Sequence, residues 1–498
     1  MPSIRKTKTA SGATAVQVVR YENRKVVVMK HVGSGKTKEE IAALIESAAS
    51  WLAQETRQRA LFARDEERRV LTLAHARYVG VTHRFIYAVL AAVSKKLRFD
   101  ALKSPLLLDL ACMRVVEPAS KLRSIELLKR YWNISYAEST VYRVLPALSK
   151  RKTEVEAIAV AWALSGLSSD LSLVLYDVTT LYFETFESDD LRTPGFSKDG
   201  KPMQPQIVVG LLVTREGFPL GYEVFKGNTF EGKTMLPVLL SFAKTYGVAT
   251  PTVVADAAMI SRENVGNLTT HGFSYIVGAR LANCSPRMIE KVSSALSGRD
   301  GATIRIATDH GELVASFSAK RYRKDKAEME RQIAKAEALV SRGETGKRAK
   351  FVKKAEGGKY ALDDALRKKA LSLLGIKGYY TSIPEKELSD DAVIARYHDL
   401  WHVEQAFRMS KSDLATRPIF HRTEDAIKAH LLVCFIALAI GKHMEIVTGL
   451  SLRKIVDLLF GVTEAHIVDT TTTETFTLRS EPSADVSNIL KKLGCHTK

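Results

Sequence analysis

The sequence predicts an α/β fold, on three observations. Apolar residues recur at helical spacing from about Lys38 to Lys150, and the pattern turns strand-like from residue 171. From there to residue 278 the order reads β-β-β-α-β-α-β, the alternation expected of a sheet with parallel pairs. Asp177 and Asp256 stand at the predicted ends of the first and fourth strands. If those strands pair in parallel, the two carboxylates meet at one sheet edge, where sites of α/β sheets form.

Each element has its own warrant. Val16–Val19 and Val26–Met29 flank the polar turn 21–24 and predict a small β-hairpin. Residues 1–38 carry nine Lys or Arg against one acid, a balance suited to phosphate. A helix from Pro118 to near Asn133 and a second capped by Ser139 or Thr140 form a pair that Pro146 would kink or shorten. With Lys121, Arg123, Tyr142 and Arg143 available, the pair suits helix-turn-helix contact with DNA and equally a structural bundle.

Strands follow at Leu171–Tyr176, 206–214 and 217–225, the last two joined by the turn Thr214-Arg-Glu-Gly. A helix at 233–246, a strand at 251–255, a helix from about Arg262 and a strand at 275–278 complete the run. Residues 280–378 read as a separate unit with strands at 303–306 and 313–317. In it, Met329, Ile333, Ala336 and Val340 mark an amphipathic helix whose exterior is basic, either a solvated face or a surface tracking phosphates. A final helix is predicted over Ser389–Lys411, with Tyr397, Leu400, Trp401, Glu404, Arg408 and Lys411 on one face. The expected division is 1–165, 166–279, 280–378, 379–450 and 451–498.

Global numbers narrow the function. With 498 residues the chain has room for about three domains of ~150 residues. Its 46% apolar and 26% charged residues are those of a globular protein and exclude a disordered one. A net charge of +19 points to a polyanionic partner, and its spread through folded segments favours nucleic acid over a membrane surface. Cys112, Cys284, Cys434 and Cys495 are too far apart for a zinc or redox pair. The longest apolar run, Leu431–Ile440, is short of the ~20 residues of a membrane span, and the basic N-terminus lacks a secretory pattern, so a cytoplasmic setting is expected.

Asp177, Asp256 and Glu404 together would offer three hard oxygen donors, a set that favours Mg2+ or Mn2+. Such ions serve in-line phosphoryl displacement, making metal-assisted cleavage and joining of DNA the indicated chemistry.

The segments Leu175-Tyr-Asp-Val-Thr-Thr-Leu-Tyr-Phe, Val253-Val-Ala-Asp-Ala-Ala-Met and Tyr397-His-Asp-Leu-Trp-His-Val-Glu-Gln-Ala-Phe-Arg-Met-Ser-Lys resemble those of DDE transposases of bacterial insertion sequences. More narrowly, they resemble the insertion sequence 4 superfamily and its 1634 group. That family's motif Tyr-x2-Arg-x3-Glu-x6-Lys is met by Tyr397, Glu404 and Lys411, whereas Leu400 replaces the Arg. The resemblance implies an RNase H-like catalytic core, an inserted, mainly β domain between Asp256 and Glu404, and a helical N-terminal DNA-binding region. It implies metal binding by Asp177, Asp256 and Glu404, and contact with end phosphates by Tyr397 and Lys411. Double-stranded DNA, as terminal inverted repeats and target, is the implied partner of a homodimer in the synaptic complex.

Two other motifs carry less. Gly33-Ser-Gly-Lys-Thr37 lacks the first glycine of a phosphate-binding loop, Lys30 standing in its place. His398 and His402 have zinc-like spacing, but the helix predicted there turns them away from Glu404. A stand-alone nuclease of the same fold and a non-catalytic DNA-binding protein are the rival readings.

Overall fold

A computed structural model describes the chain except residues 1, 23–24, 56–72, 168–170, 198–199, 202, 249, 260, 297, 343–348, 355–359 and 496–498. The chain forms two compact units. Met1–Val89, Glu126–Ser135 and Val456–Lys498 make one; Leu90–Ile125 and Tyr136–Ile455 make the other.

In the first unit the strands Ser3–Lys8, Thr14–Glu22 and Lys25–Gly35 form an antiparallel sheet in that order. The predicted hairpin is two of these three, and its turn residues 23–24 lie outside the described residues. Val16 and Val18 pack on Leu44 and Ala48 of the helix Lys38–Glu55. The glycine-rich segment before that helix is a capping box: Thr37 Oγ1 accepts from Glu40 N at 3.2 Å, and Glu40 Oε2 accepts from Thr37 N at 3.1 Å. Backbone donors of Lys36 and Thr37 hold the Glu40 carboxyl below its ordinary range.

Where helix was expected, Ala76–Thr82 is a strand. It pairs antiparallel with Glu464–Asp469, which pairs in turn with Thr475–Arg479. Backbone pairing with a distant strand thus overrides the local period, and the N- and C-terminal regions share one sheet.

The second unit holds helices α1 (Pro105–Val116), α3 (Glu138–Ser149) and α4 (Lys152–Gly166) and the first residues of α2 (Lys121–Trp132), whose remainder counts with the first unit. Helix α2 starts at Lys121 rather than Pro118. Ala137, not Ser139 or Thr140, caps α3, because its carbonyl already accepts from Thr140 and Val141. Pro146 sits inside α3 without ending it.

The sheet follows. Strands β1 (Leu173–Tyr182), β2 (Gln206–Thr214) and β3 (Pro219–Lys226) form an antiparallel meander. Helix α5 (Met235–Tyr246) leads to β4 (Thr252–Ala255), and α6 (Arg262–Thr270) to β5 (Ser274–Ala279). Both β1–β4 and β4–β5 are parallel, as the strand and helix order predicts.

Residues 280–378 depart from the separate, mainly β unit expected there. Among the described residues they hold the helices α7 (Pro286–Leu296), α8 (Ala319–Ser341) and α9 (Asp364–Ser372). They also hold β6 (Thr303–Thr308), β7 (Gly311–Phe317), the first half of β8 (Ile376–Thr381) and a short antiparallel pair, Val352–Lys354 with Tyr360–Leu362. Of these, β6, β7 and β8 extend the same sheet, whose order is β6-β7-β8-β5-β4-β1-β2-β3, because β8 pairs antiparallel with β5.

The single helix expected over 389–411 is broken. Ser389 caps α10 (Asp390–His398), accepting from Ala392 N; α11 (Trp401–Arg408) follows after Asp399 and Leu400, and Met409–Asp413 winds as a π-turn. Arg215, in the β2–β3 turn, pins the break through Nε to Asp399 Oδ2 at 2.7 Å.

Last comes α12 (Glu424–Thr448), long and apolar enough by composition to cross a bilayer, unlike the short run read from sequence. Its apolar window is 83% buried, the setting of a core helix.

Candidate functional site

The site lies where β4 stops and β1 continues. Tyr176 pairs with Ala255, so Asp177 and Asp256 occupy the next rung of two adjacent parallel strands, about 5 Å apart in backbone. Asp177 lies within β1 rather than at its end, since residues 178–182 go on pairing with β2. Beyond Ala255 nothing in β4 covers that stretch, which leaves Asp256 exposed and Asp177 half-buried. Each carboxylate is steadied by the amide that follows it: Asp177 Oδ1 accepts from Val178 N at 2.8 Å, and Asp256 Oδ1 from Ala257 N at 2.7 Å.

Helix α10 brings Tyr397 over this edge. Its hydroxyl donates to Asp256 Oδ1 at 3.3 Å, and burial, then Asp256, pushes the phenol well above its ordinary range. A glycine makes room for it: a Cβ on Gly278 of β5 would lie 2.6 Å from Tyr397 Oη and 3.2 Å from the Ala257 amide nitrogen. Gly278→Ala should therefore cost about 1–3 kcal/mol of stability through overpacking. In a Tyr397→Phe background most of that cost should vanish, and thermal unfolding of the four variants tests this; an undiminished cost would place the clash elsewhere.

On the other side of Tyr397 stands a cation absent from the sequence reading. Lys377 of β8 places Nζ 4.4 Å from the Tyr397 ring centroid and 5.6 Å from that of Tyr379. Burial and Arg321 of α8 pull its ammonium below the ordinary range, while Asp256 and Glu404 hold it up. Glu404 also acts on Tyr397, so Asp256 and Glu404 converge on the same Lys–Tyr pair. Among the described residues, no three His, Cys, Asp or Glu side chains gather closely enough to form a metal cluster. Asp177 and Asp256 nonetheless form a pair of hard oxygen donors that fits magnesium in chemistry, with Glu404 exposed on α11 nearby.

The break at Asp399–Leu400 rearranges the predicted helix face. Tyr397 and Leu400 are buried, whereas Trp401 is 51% exposed. Arg408 is exposed; Lys411, in the π-turn, lines a narrow core cavity with Thr179, Leu181 and Phe407. His398 feels Lys377 and Arg321 and so borders the site, contrary to expectation, while His402 faces Lys442, Asp399 and the 215–216 turn. Arg123 and Arg143 are exposed on α2 and α3. Lys121 is only 4% exposed, so it is not part of an open helical surface.

The fold and site define a mixed α/β protein that collects carboxylates at the edge of a parallel strand pair, beside a Tyr–Lys pair. A family model, the transposase DDE domain, matches residues 169–440, and the chain belongs to that family. Comparison with curated proteins gives no match. Among solved structures, a cryo-EM structure of the piggyBac transposase synaptic complex with hairpin DNA is similar at 12% identity and a TM-score of 0.35. The similarity covers 85% of this chain and 77% of that one.

Proposed function

We propose that the chain is a DNA transposase that cuts transposon ends and joins the freed 3′-hydroxyls to target DNA. The observation that carries this reading is the placement of Asp177 and Asp256 each directly after the last paired residues, Tyr176 and Ala255, of adjacent parallel strands, inside the segment that matches the DDE domain. The order β3-β2-β1-β4-β5, with only the last two joints parallel, supports an RNase H-like core. The Tyr397, Glu404 and Lys411 spacing supports the insertion sequence 4 superfamily and its 1634 group.

Asp177, Asp256 and Glu404 would hold magnesium or manganese, which would supply positive charge at the phosphate and make a water or 3′-hydroxyl nucleophilic. The protein's own groups set the stage. Tyr397 orients Asp256 by its hydrogen bond, and Lys377 offers an ammonium in a partly water-excluded corner, where it attracts a phosphate oxygen more strongly than in bulk water. Arg408, Arg123 and Arg143 are exposed cations for the DNA backbone, and a net charge of +19 draws the polyanion in. A homodimer bridging two ends in a bacterial cytoplasm completes the proposal.

The test is cleavage and strand transfer on labelled duplexes carrying the element's ends, with and without magnesium. Cut and joined products that vanish on chelation are expected. Cutting without joining would make the chain a nuclease, and binding with neither activity would make it a non-catalytic DNA-binding protein.

A further inference from the structure

A cavity of about 220 Å³ opens between the end of α1, the start of α2 and residues 415–421, away from the carboxylates. Its wall holds Arg114, Lys121, Arg417, His421 and His430. Two of the cations are deeply buried: Arg114 and Lys121 are each 4% exposed. The Arg114 guanidinium donates only to neutral carbonyls, those of Leu414, Ala415 and Ala119. Lys121 Nζ lies 3.3 Å from His430 Nδ1. His430 Nε2 sits 3.0 Å from the Thr416 carbonyl and so carries the ring proton, leaving Nδ1 to accept from the lysine. The structure gives the other Lys121 donors no acceptor among the described residues.

Among the described residues, no acid is paired with Arg114 or Lys121. Burial and Arg114 pull Lys121 down to about 7, and its one opposing influence is the Cys434 thiol. Burial, then Lys121 and Arg114, lowers His421 to about 4 and His430 well below its ordinary range. Buried cations without a counter-charge are costly, and a cavity lined by them is complementary to an anion.

We propose that this cavity is a phosphate site, and that its occupant is a backbone phosphate of the bound DNA. The rim argues for DNA over a free anion: Leu122, Tyr142 and Phe420 present exposed apolar surface, 42%, 46% and 70% accessible, on which sugar and base faces can rest. The place argues likewise. Ile419 bridges to Phe183, six residues beyond Asp177 and on the order of 20 Å along the same strand direction, within reach of a duplex lying over the carboxylates. The assignment deepens the transposase reading and rests on it.

The test measures affinity of the full chain for a labelled duplex against salt concentration. Lys121→Met should weaken binding about five- to ten-fold and reduce the slope of log K against log salt by about 0.9, one phosphate contact. Its melting midpoint should hold or rise, since a buried charge is gone. Leu122→Glu, an exposed rim position, should weaken binding at least as much. Millimolar inorganic phosphate should raise the midpoint of the wild type and not of Lys121→Met. An unchanged slope in both variants overturns the DNA assignment, and if phosphate still stabilises the wild type the site takes a free anion. A lower midpoint in Lys121→Met with an unchanged slope makes the lysine structural. A wild type that binds no duplex overturns the transposase reading, and with it the DNA occupant.

Discussion

Asp256→Asn is expected to lower strand cleavage by about a thousand-fold while DNA affinity stays within about two-fold. The magnitude follows from chemistry in which metal charge supplies several kcal/mol to the transition state, each 1.36 kcal/mol being a factor of ten. An amide oxygen still accepts from Tyr397 Oη and from Ala257 N, so the backbone at the end of β4 keeps its geometry. What is lost is the negative charge beside Asp177. The comparison is cleavage rate against anisotropy of a labelled duplex, and wild-type cleavage in the variant would move the chemistry off this sheet edge.

The second large effect is on stability. Arg305 of β6 is 8% exposed in its side chain, and it bonds Glu312 Oε2 at 2.6 Å and Asp390 Oδ1 at 3.2 Å. It also donates to the Leu388 carbonyl at 2.8 Å and to that of Ile383 at 2.6 Å. One guanidinium thereby ties the far strands of the sheet to the first turn of α10, the helix that carries Tyr397. Arg305→Met leaves Asp390 and two carbonyls without their partner, a loss of about 3–5 kcal/mol. The melting midpoint of the second unit should fall by roughly 4–7 °C. Adding Asp390→Asn should recover part of it; a single variant that melts like wild type would show that the pair is not coupled to the fold.

The strands of the meander, their turn at Gly217 and the succession of the first five strands along the chain were legible because each has a local cause: short apolar runs and a glycine at the turn. The pairing of β8 with β5 was not legible, since no period in residues 376–381 says which distant edge they join. The break at Asp399–Leu400 has no glycine or proline to announce it, and the side chain that bonds Asp399 there, Arg215, is 184 residues away in sequence. For the same reason the convergence of Asp177 and Asp256 could be read ahead, from strand order, while Lys377 could not. A lone lysine between Ile376 and Gly378 acquires meaning only when Tyr397 is laid over it. Lys121 shows the reverse: its position in a basic helix suggested an open surface, and tertiary burial placed it in a cavity wall.

The pairing of Ala76–Thr82 with Glu464–Asp469 has a consequence for the order in which the protein is made. At roughly 5–20 residues per second, the early strand leaves the ribosome about 20 to 80 s before its partner. In that interval Tyr78, Val79 and Val81 flank an unpaired edge, a surface that invites strands of other chains. The sheet that carries Asp177 takes no strand beyond Thr381 and can close first. During synthesis, then, the sheet that carries the carboxylates is complete while the terminal sheet still waits for its middle strand.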